Sequence, residues 1–168
     1  MQQYDEQDAV WKKFTRKNLF LCTLINLVLN TWRPYSNYQN SNAVRLFHGQ
    51  YCFARFVLPM AFLLPFIITF DMLKKSMAIA ERGGNDLMFP ARSSKYRFIF
   101  RVAAINGTTT LVAILLFMLC VDVSLPESYC FDGRLLSILM GSLAGILAMF
   151  FTLYAIKKVR RLLWSLPE

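Results

Sequence analysis

The stretch "LLSILMGSLAGILAMFFTLYAI", residues 135–156, is an apolar run without a single charged side chain. About 20 such residues in a helix cross a hydrocarbon core about 30 Å thick. A helix in a soluble bundle would carry charges along the side that faces water, and this run has no such side. It therefore predicts a membrane-spanning helix.

Three further runs resemble it. In chain order, span one contains "NLFLCTLINLVLNTW" and reaches full length at about 14–32 if the lysines and arginines before it extend their charged ends to the interface. Span two covers 52–73, and span three covers 98–121, of which 102–121 is uncharged. The run 135–156 is span four.

The composition of the whole chain agrees with these runs. It is 56% hydrophobic and 17% charged, whereas soluble domains are about 25% charged. We predict an all-α integral membrane protein: a single domain, residues 1–168, with four transmembrane helices.

The distribution of lysine and arginine predicts the orientation. Four of these residues lie at 12–17, six at 74–97 and four at 157–161, but only two lie at 33–51 and one at 122–134. Basic segments stay on the cytoplasmic side. We therefore expect both termini and the loop 74–97 in the cytoplasm of a cell with an inner membrane, and the loops 33–51 and 122–134 outside.

The ends of two helices can also be anticipated. Pro34 follows Trp32 directly and is expected to end the first helix. The sequence "KKSMAIAE" after the second run is helical in character, so we expect that helix to continue for about two turns beyond the membrane, up to Gly83 and Gly84.

The basic residues do not indicate a nucleic-acid partner, because they are divided among three segments that flank predicted spans. Attraction to anionic headgroups of membrane lipid is their expected role.

Polar residues inside the spans are the first candidates for contacts. Asn26 and Asn30 lie four apart on one helix face, and Asn106 lies at a similar depth, so that Asn26 and Asn106 could face each other. Such amides either join helices through hydrogen bonds or line a polar path and grip a partner helix.

Charged and small residues suggest further contacts. Asp71 and Arg101 are expected at similar depth, either as an ion pair or with both side chains reaching the cytoplasm. Small residues at Ser137, Gly141 and Gly145 form a face that allows close helix approach. We expect this face to pack within the chain on span three, at Ala103 and Gly107, or to form a homo-oligomer or heteromer contact.

Three cysteines fall at or near the outer side, where an oxidising compartment would permit a disulfide. Cys52–Cys130 would tie the outer loops together, and Cys120–Cys130 would close the shorter loop. The alternative is that the thiols stay reduced.

The sequence carries no motif for catalysis. His48 is the only histidine, and no zinc-ligand spacing, phosphate-binding loop or nucleophile motif is present. We therefore expect a protein that is not an enzyme and that needs no metal and no cofactor.

With these features in place, the chain resembles the immunity proteins of the pore-forming colicins of the A type. Tyr51-Cys52 at the start of span two and "TFDMLKK" (69–75) at its end are similar to that family's pattern. The resemblance implies a small four-span inner-membrane protein that binds membrane-inserted toxin helices through its own spans, with the asparagine and GxxxG faces as contact surfaces.

Three functions remain open on the sequence. The first is recognition of another membrane protein, most specifically protective immunity against a membrane-inserting toxin. The second is an accessory inner-membrane subunit of a secretion, conjugation or transport complex. The third is a small channel or holin-like pore in which Asn26, Asn30, Asn106 and Thr108–Thr110 line water.

Overall fold

The computed structural model describes residues 2–38, 44–49, 52–82, 94–126 and 129–164. Their helices are α1 (Gln2–Tyr38), α2 (Ala54–Arg82), α3 (Lys95–Ser124) and α4 (Gly133–Trp164). The prediction of an all-helical chain with four long helices is confirmed. Among the described residues, α2, α3 and α4 are long and apolar enough to cross a membrane.

The first helix is longer than the sequence predicted, since α1 continues past Pro34 to Tyr38. The expectation that Pro34 ends the helix is wrong. A proline removes one backbone donor, and here nearby side chains bond other carbonyls of the same turns. The Ser36 hydroxyl donates to the Trp32 carbonyl at 3.0 Å, and the Asn37 amide donates to the Arg33 carbonyl at 2.8 Å. Pro34 itself is fully buried.

The second helix agrees with expectation, because α2 extends to Arg82, well beyond the apolar run. An ion pair between Glu81 and Lys95 joins its end to the start of α3.

The helices pack in the order α1–α4–α2–α3. Contacts join α1 to α4, α4 to α2, and α2 to α3, so α2 and α4 are the central helices. Half of the most apolar 18-residue segment is buried in each of them, against only 11% in α3. Much of α3 therefore presents apolar side chains, such as Phe117 and Leu116, to its surroundings.

The glycines of α4 bring α1 close. A Cβ atom added at Gly141 would lie 1.7 Å from the Thr31 hydroxyl oxygen and 2.9 Å from the Leu27 carbonyl oxygen. A Cβ at Gly145 would lie 3.4 Å from the Leu27 side chain. At the far end Asp8 accepts a hydrogen bond of 2.9 Å from Arg160. The two helices are thus antiparallel neighbours over nearly their full length.

The expected packing of this glycine face on span three is wrong. Gly107 of α3 lies against α2 instead, where an added Cβ would be 2.9 Å from the Phe62 carbonyl oxygen. Phe66 and Phe100 continue the same interface with an edge-to-face contact, their ring centroids 5.5 Å apart. The small residues of α3 and α4 therefore serve two separate interfaces, because each helix has a different neighbour.

Backbone pairing joins the α1–α2 connection to the α3–α4 connection. Val44 and Phe131 form an isolated antiparallel bridge with hydrogen bonds of 3.0 and 2.9 Å. At the start of α2, the N–H groups of Phe53 and Ala54 donate to the carbonyls of Arg45 and Leu46, at 3.0 and 2.9 Å.

Neither of the two disulfides that the sequence would allow is present in the described part of the chain, where Cys52 and Cys120 are not bonded to Cys130. The Val44–Phe131 backbone bridge joins the α1–α2 and α3–α4 connections without either covalent link.

We expect Gly141→Ala to destabilise the fold and Gly145→Ala to leave it unchanged or slightly stabilised. The first methyl group meets a backbone carbonyl that cannot move without shifting α1, and such overpacking costs about 1–3 kcal/mol. The second meets ordinary van der Waals distance, and replacing a helical glycine with alanine favours the helix by up to about 1 kcal/mol.

Reversible unfolding of both purified variants in mixed micelles measures the difference. Equal stability of the two variants would contradict the close α1–α4 contact at Gly141.

Candidate functional site

A groove separates α1 from α2 in the half of the bundle near the α1–α2 connection. Its volume is about 780 Å³, and α4 contributes Met140. We call it the α1–α2 groove. It is lined by Asn26, Leu29, Asn30, Arg33, Pro34 and Asn37 of α1, by Arg55, Phe56, Pro59, Met60, Leu63, Leu64 and Ile67 of α2, and by Met140.

The α1 wall is a polar stripe. Asn26, Asn30, Arg33 and Asn37 follow one another at intervals of four, three and four residues, which places them on one helix face. The Asn26 amide donates to the Cys22 carbonyl at 2.8 Å, and the Asn30 amide donates to the Asn26 carbonyl at 2.9 Å. Each amide thus uses one N–H on its own helix, and its carbonyl oxygen is left for other donors.

Each wall also contains a proline. Pro34 and Pro59 lack an N–H, so the carbonyls four residues earlier, those of Asn30 and Arg55, lose their usual helical donor. Backbone groups of this kind occur at membrane depth where they are buried in protein or face a cavity. Here both belong to residues that line the groove.

Two arginines line the end of the groove nearest the α1–α2 connection, which we call its mouth: Arg33 near the end of α1 and Arg55 near the start of α2. Both side chains are exposed. The described residues contain three ion pairs, which join Asp71 to Lys75, Glu81 to Lys95 and Asp8 to Arg160. None of them neutralises either arginine of the groove.

Asp71 does not pair with Arg101, as the sequence had suggested. It accepts a hydrogen bond of 2.6 Å from Lys75, one turn further along its own helix. Asp71 follows Thr69 by two positions, which places it about 200° further around α2. The side of α2 that carries Thr69 faces α3, because Asn106 of α3 donates a hydrogen bond to Thr69. Asp71 is therefore turned away from the helix that carries Arg101.

Asn106 bonds α2 rather than Asn26. Its amide donates to the Thr69 hydroxyl at 3.2 Å, so the suggested pairing of Asn26 with Asn106 is wrong. The side chains proposed to line a pore therefore do not converge. Asn106 lies in the α2–α3 interface, Thr108 and Thr109 are exposed on α3, and Asn26 and Asn30 line a groove beside α4.

The candidate residues named from the sequence thus fall into two groups. Asn106, Gly107, Gly141 and Gly145 make contacts within the chain. The buried Ser137 hydroxyl donates to the Gly133 carbonyl of its own helix at 2.7 Å. Only Asn26 and Asn30 line a surface that the described residues leave open.

The groove residues missed by the sequence analysis are Arg33, Asn37 and Arg55. The first two were assigned to a loop because Pro34 was taken as a helix end. Continuing the spacing of Asn26 and Asn30 by three and four residues would have found both.

A second cavity, of about 490 Å³, lies between the α1–α2 and α3–α4 connections and is lined in part by Arg45, His48, Asp122 and Tyr129. Among the residues that the structure describes, no group of three or more histidine, cysteine or acidic side chains is placed to hold a metal ion.

Comparison with known proteins adds no further identification. No protein-family model, no curated protein and no solved structure matches this chain.

We expect Asn106 and Thr69 to be energetically coupled. Asn106→Leu and Thr69→Val should each destabilise the protein, and the double variant should lose less than their sum. The difference should be about 0.6–1.7 kcal/mol, the range for side-chain hydrogen bonds between membrane helices.

A double-mutant cycle in detergent unfolding measures this coupling. The control cycle replaces Thr69→Val by Thr108→Val, since Thr108 is exposed on α3. Equal coupling in both cycles would contradict a specific Asn106–Thr69 bond.

Proposed function

We propose that the chain is a multi-pass protein of an inner membrane in which all four helices cross and both termini are cytoplasmic. The placement of α1 against α4 supports the fourth span. The pairing runs from Asp8–Arg160 at one end to Thr31–Gly141 near the other. A bilayer crossed by α4 would therefore be crossed by α1 as well. The basic segments at 12–17, 74–97 and 157–161 support the orientation.

Single cysteines at exposed positions test this topology. In a variant whose four native cysteines are replaced, we expect Ser36→Cys to react with a membrane-impermeant maleimide in intact spheroplasts. Ala9→Cys and Arg161→Cys should react only after permeabilisation. Ala9 lies near the start of α1 and Arg161 near the end of α4, so both lie at the end of the bundle that is far from Ser36. Labelling of Ala9→Cys together with Ser36→Cys in intact spheroplasts would contradict a crossing by α1.

We further propose that the protein acts without catalysis, by recognising another membrane protein in the α1–α2 groove. The observation that carries this proposal is a line of amide and guanidinium groups on α1 that α2 and α4 leave uncovered. Polar groups at membrane depth are costly and normally face protein or a cavity. Lipid tails offer them no hydrogen bonds, whereas a partner helix does.

The most specific form of this function is protective immunity against a membrane-inserting toxin. The resemblance of Tyr51-Cys52 and "TFDMLKK" to the immunity proteins of pore-forming colicins supports this form. The groove adds a surface on which a helix inserted in the same membrane could pack.

We expect the protein, expressed alone, to protect cells against one toxin in a panel of pore-forming colicins. Asn26→Leu and Asn30→Leu should reduce that protection at least about tenfold, because they remove the hydrogen-bonding groups of the groove. Asn18→Leu is the matched control. Asn18 also lies on α1 and donates to the carbonyl four residues earlier, that of Phe14, at 2.9 Å, but it does not line the groove.

Survival titrations at equal membrane levels of each variant measure this effect. Equal loss of protection in all three variants would indicate damage to α1 and would contradict recognition by the groove.

The second form is an accessory subunit of a secretion, conjugation or transport complex, which would use the same groove for a permanent neighbour. Crosslinking in cells followed by capture in mild detergent distinguishes the two forms. Stoichiometric recovery of several components of one assembly would replace the immunity proposal with the subunit.

A further inference from the structure

We propose that the helix received by the α1–α2 groove carries a carboxylate at the level of the outer headgroups and a hydroxyl or amide donor one to two turns deeper. This inference rests on the proposed recognition of a membrane protein in the groove. It specifies the chemistry of the partner from the distribution of charge and hydrogen-bonding groups along the two walls.

The mouth of the groove selects for negative charge. Arg33 and Arg55 approach it from different helices, and both side chains are exposed. The guanidinium group is planar and can hold a carboxylate through two parallel hydrogen bonds. A carboxylate at this end of the groove could therefore bond to a guanidinium group on either wall.

No described ion pair joins a carboxylate of the chain to Arg33 or Arg55. Asp8, Asp71 and Glu81 are paired with other cations. Asp132 accepts the Arg134 backbone N–H at 2.8 Å, and Asp122 lines the separate outer cavity. The positive charge at the mouth is thus left for a group outside this part of the chain.

Deeper in the groove, acceptors outnumber donors. Asn26 and Asn30 have each used one amide N–H on their own helix, while their side-chain oxygens accept no described hydrogen bond. The backbone carbonyl of Asn30 and, nearer the mouth, that of Arg55 also lack their usual helical donor, because Pro34 and Pro59 have no N–H. A ligand that fills this region must therefore bring N–H or O–H groups.

This requirement favours a helix over a phospholipid. A phosphate could occupy the mouth beside the arginines, but the ester groups and acyl chains below it are acceptors and hydrocarbon. They would leave the acceptors of the groove without donors, which is costly in a nonpolar medium. Serine, threonine, asparagine or glutamine on a partner helix would supply the donors.

The spacing of the groups sets the spacing in the partner. Asn30 and Asn26 lie three and seven residues from Arg33, about 4.5 and 10 Å along the helix axis. A partner helix running alongside would match them with a donor three to four or seven residues from its acidic residue. Exposed apolar side chains of α2, Leu63 and Ile67, line the same groove and would pack against its remaining residues.

A designed transmembrane peptide tests this chemistry directly. The probe is a leucine–alanine helix with one glutamate at the outer interface and one threonine seven residues deeper. Energy transfer between the labelled peptide and full-length protein in vesicles of zwitterionic lipid measures its binding. Matched peptides carry glutamine in place of glutamate, or valine in place of threonine.

We expect the glutamine and valine peptides each to bind at least about tenfold more weakly than the probe. Arg33→Gln and Arg55→Gln should each weaken binding of the glutamate peptide to about the level of the glutamine peptide, because the positive charge that attracts the glutamate is lost. Arg134→Gln is the matched control, an exposed arginine near the outer end of α4 that lies outside the groove. Arg134→Gln should leave the binding of every peptide unchanged.

Three results would overturn the inference, and each has a different meaning. If Asn26→Leu prevents binding but the arginine variants do not, the groove receives a helix without reading its charge, and the proposed function stands. If no peptide binds, or if no groove variant changes binding, helix recognition by the groove fails as well. If the protein retains anionic phospholipid through detergent extraction, as measured by native mass spectrometry, and loses it on Arg33→Gln, the arginines hold a lipid headgroup.

Discussion

The arrangement of the molecule depends on the close approach of α1 to α4 at Gly141. With no side chain at that position, the Leu27 carbonyl and the Thr31 hydroxyl of α1 lie almost against the α4 backbone. This contact draws the most polar of the helices to one side of α4 while α2 occupies another. The gap that remains between α1 and α2 is the groove. Its position therefore depends on Gly141 of α4, although α1 and α2 form its walls.

The fold separates polar groups that bond within the chain from polar groups that remain open. On α2 and α3, Asn106 and Thr69 bond each other inside an interface of aromatic rings and a glycine. On α1, the asparagines bond only their own helix, and two prolines remove donors from the walls of the groove. In a hydrocarbon medium the first arrangement holds helices together. The second leaves hydrogen-bonding capacity that only a further molecule, water or protein, can use.

The positions of charge follow the same division. The ion pairs at Glu81–Lys95 and Asp8–Arg160 join helix ends to one another, and Asp71–Lys75 lies within α2. Arg33 and Arg55, in contrast, belong to different helices that border a gap. An exposed cation gains little from isolated surface pairing, but Arg33 and Arg55 line the same groove and no described ion pair neutralises either of them. For this reason the functional proposal rests on the groove and not on the second cavity or the apolar face of α3.

The sequence by itself determined the helical class, the three strongly apolar helices and the extension of α2 to Arg82. Two of these runs, 102–121 and 135–156, carry no charge and so have no side suited to water. The extension of α2 follows from the local helical pattern beyond its apolar run. It also marked the glycines of α4 as a packing face. It did not determine which helix they meet, because runs that are apolar on every side leave no face that identifies a neighbour.

That choice belongs to the tertiary structure, through the fit of Gly141 to Thr31 and of Gly107 to Phe62. The same fit turned Asp71 away from α3 and brought Arg33 and Arg55 to one groove. These contacts depend on shape between residues far apart in the chain, and no local pattern carries that information.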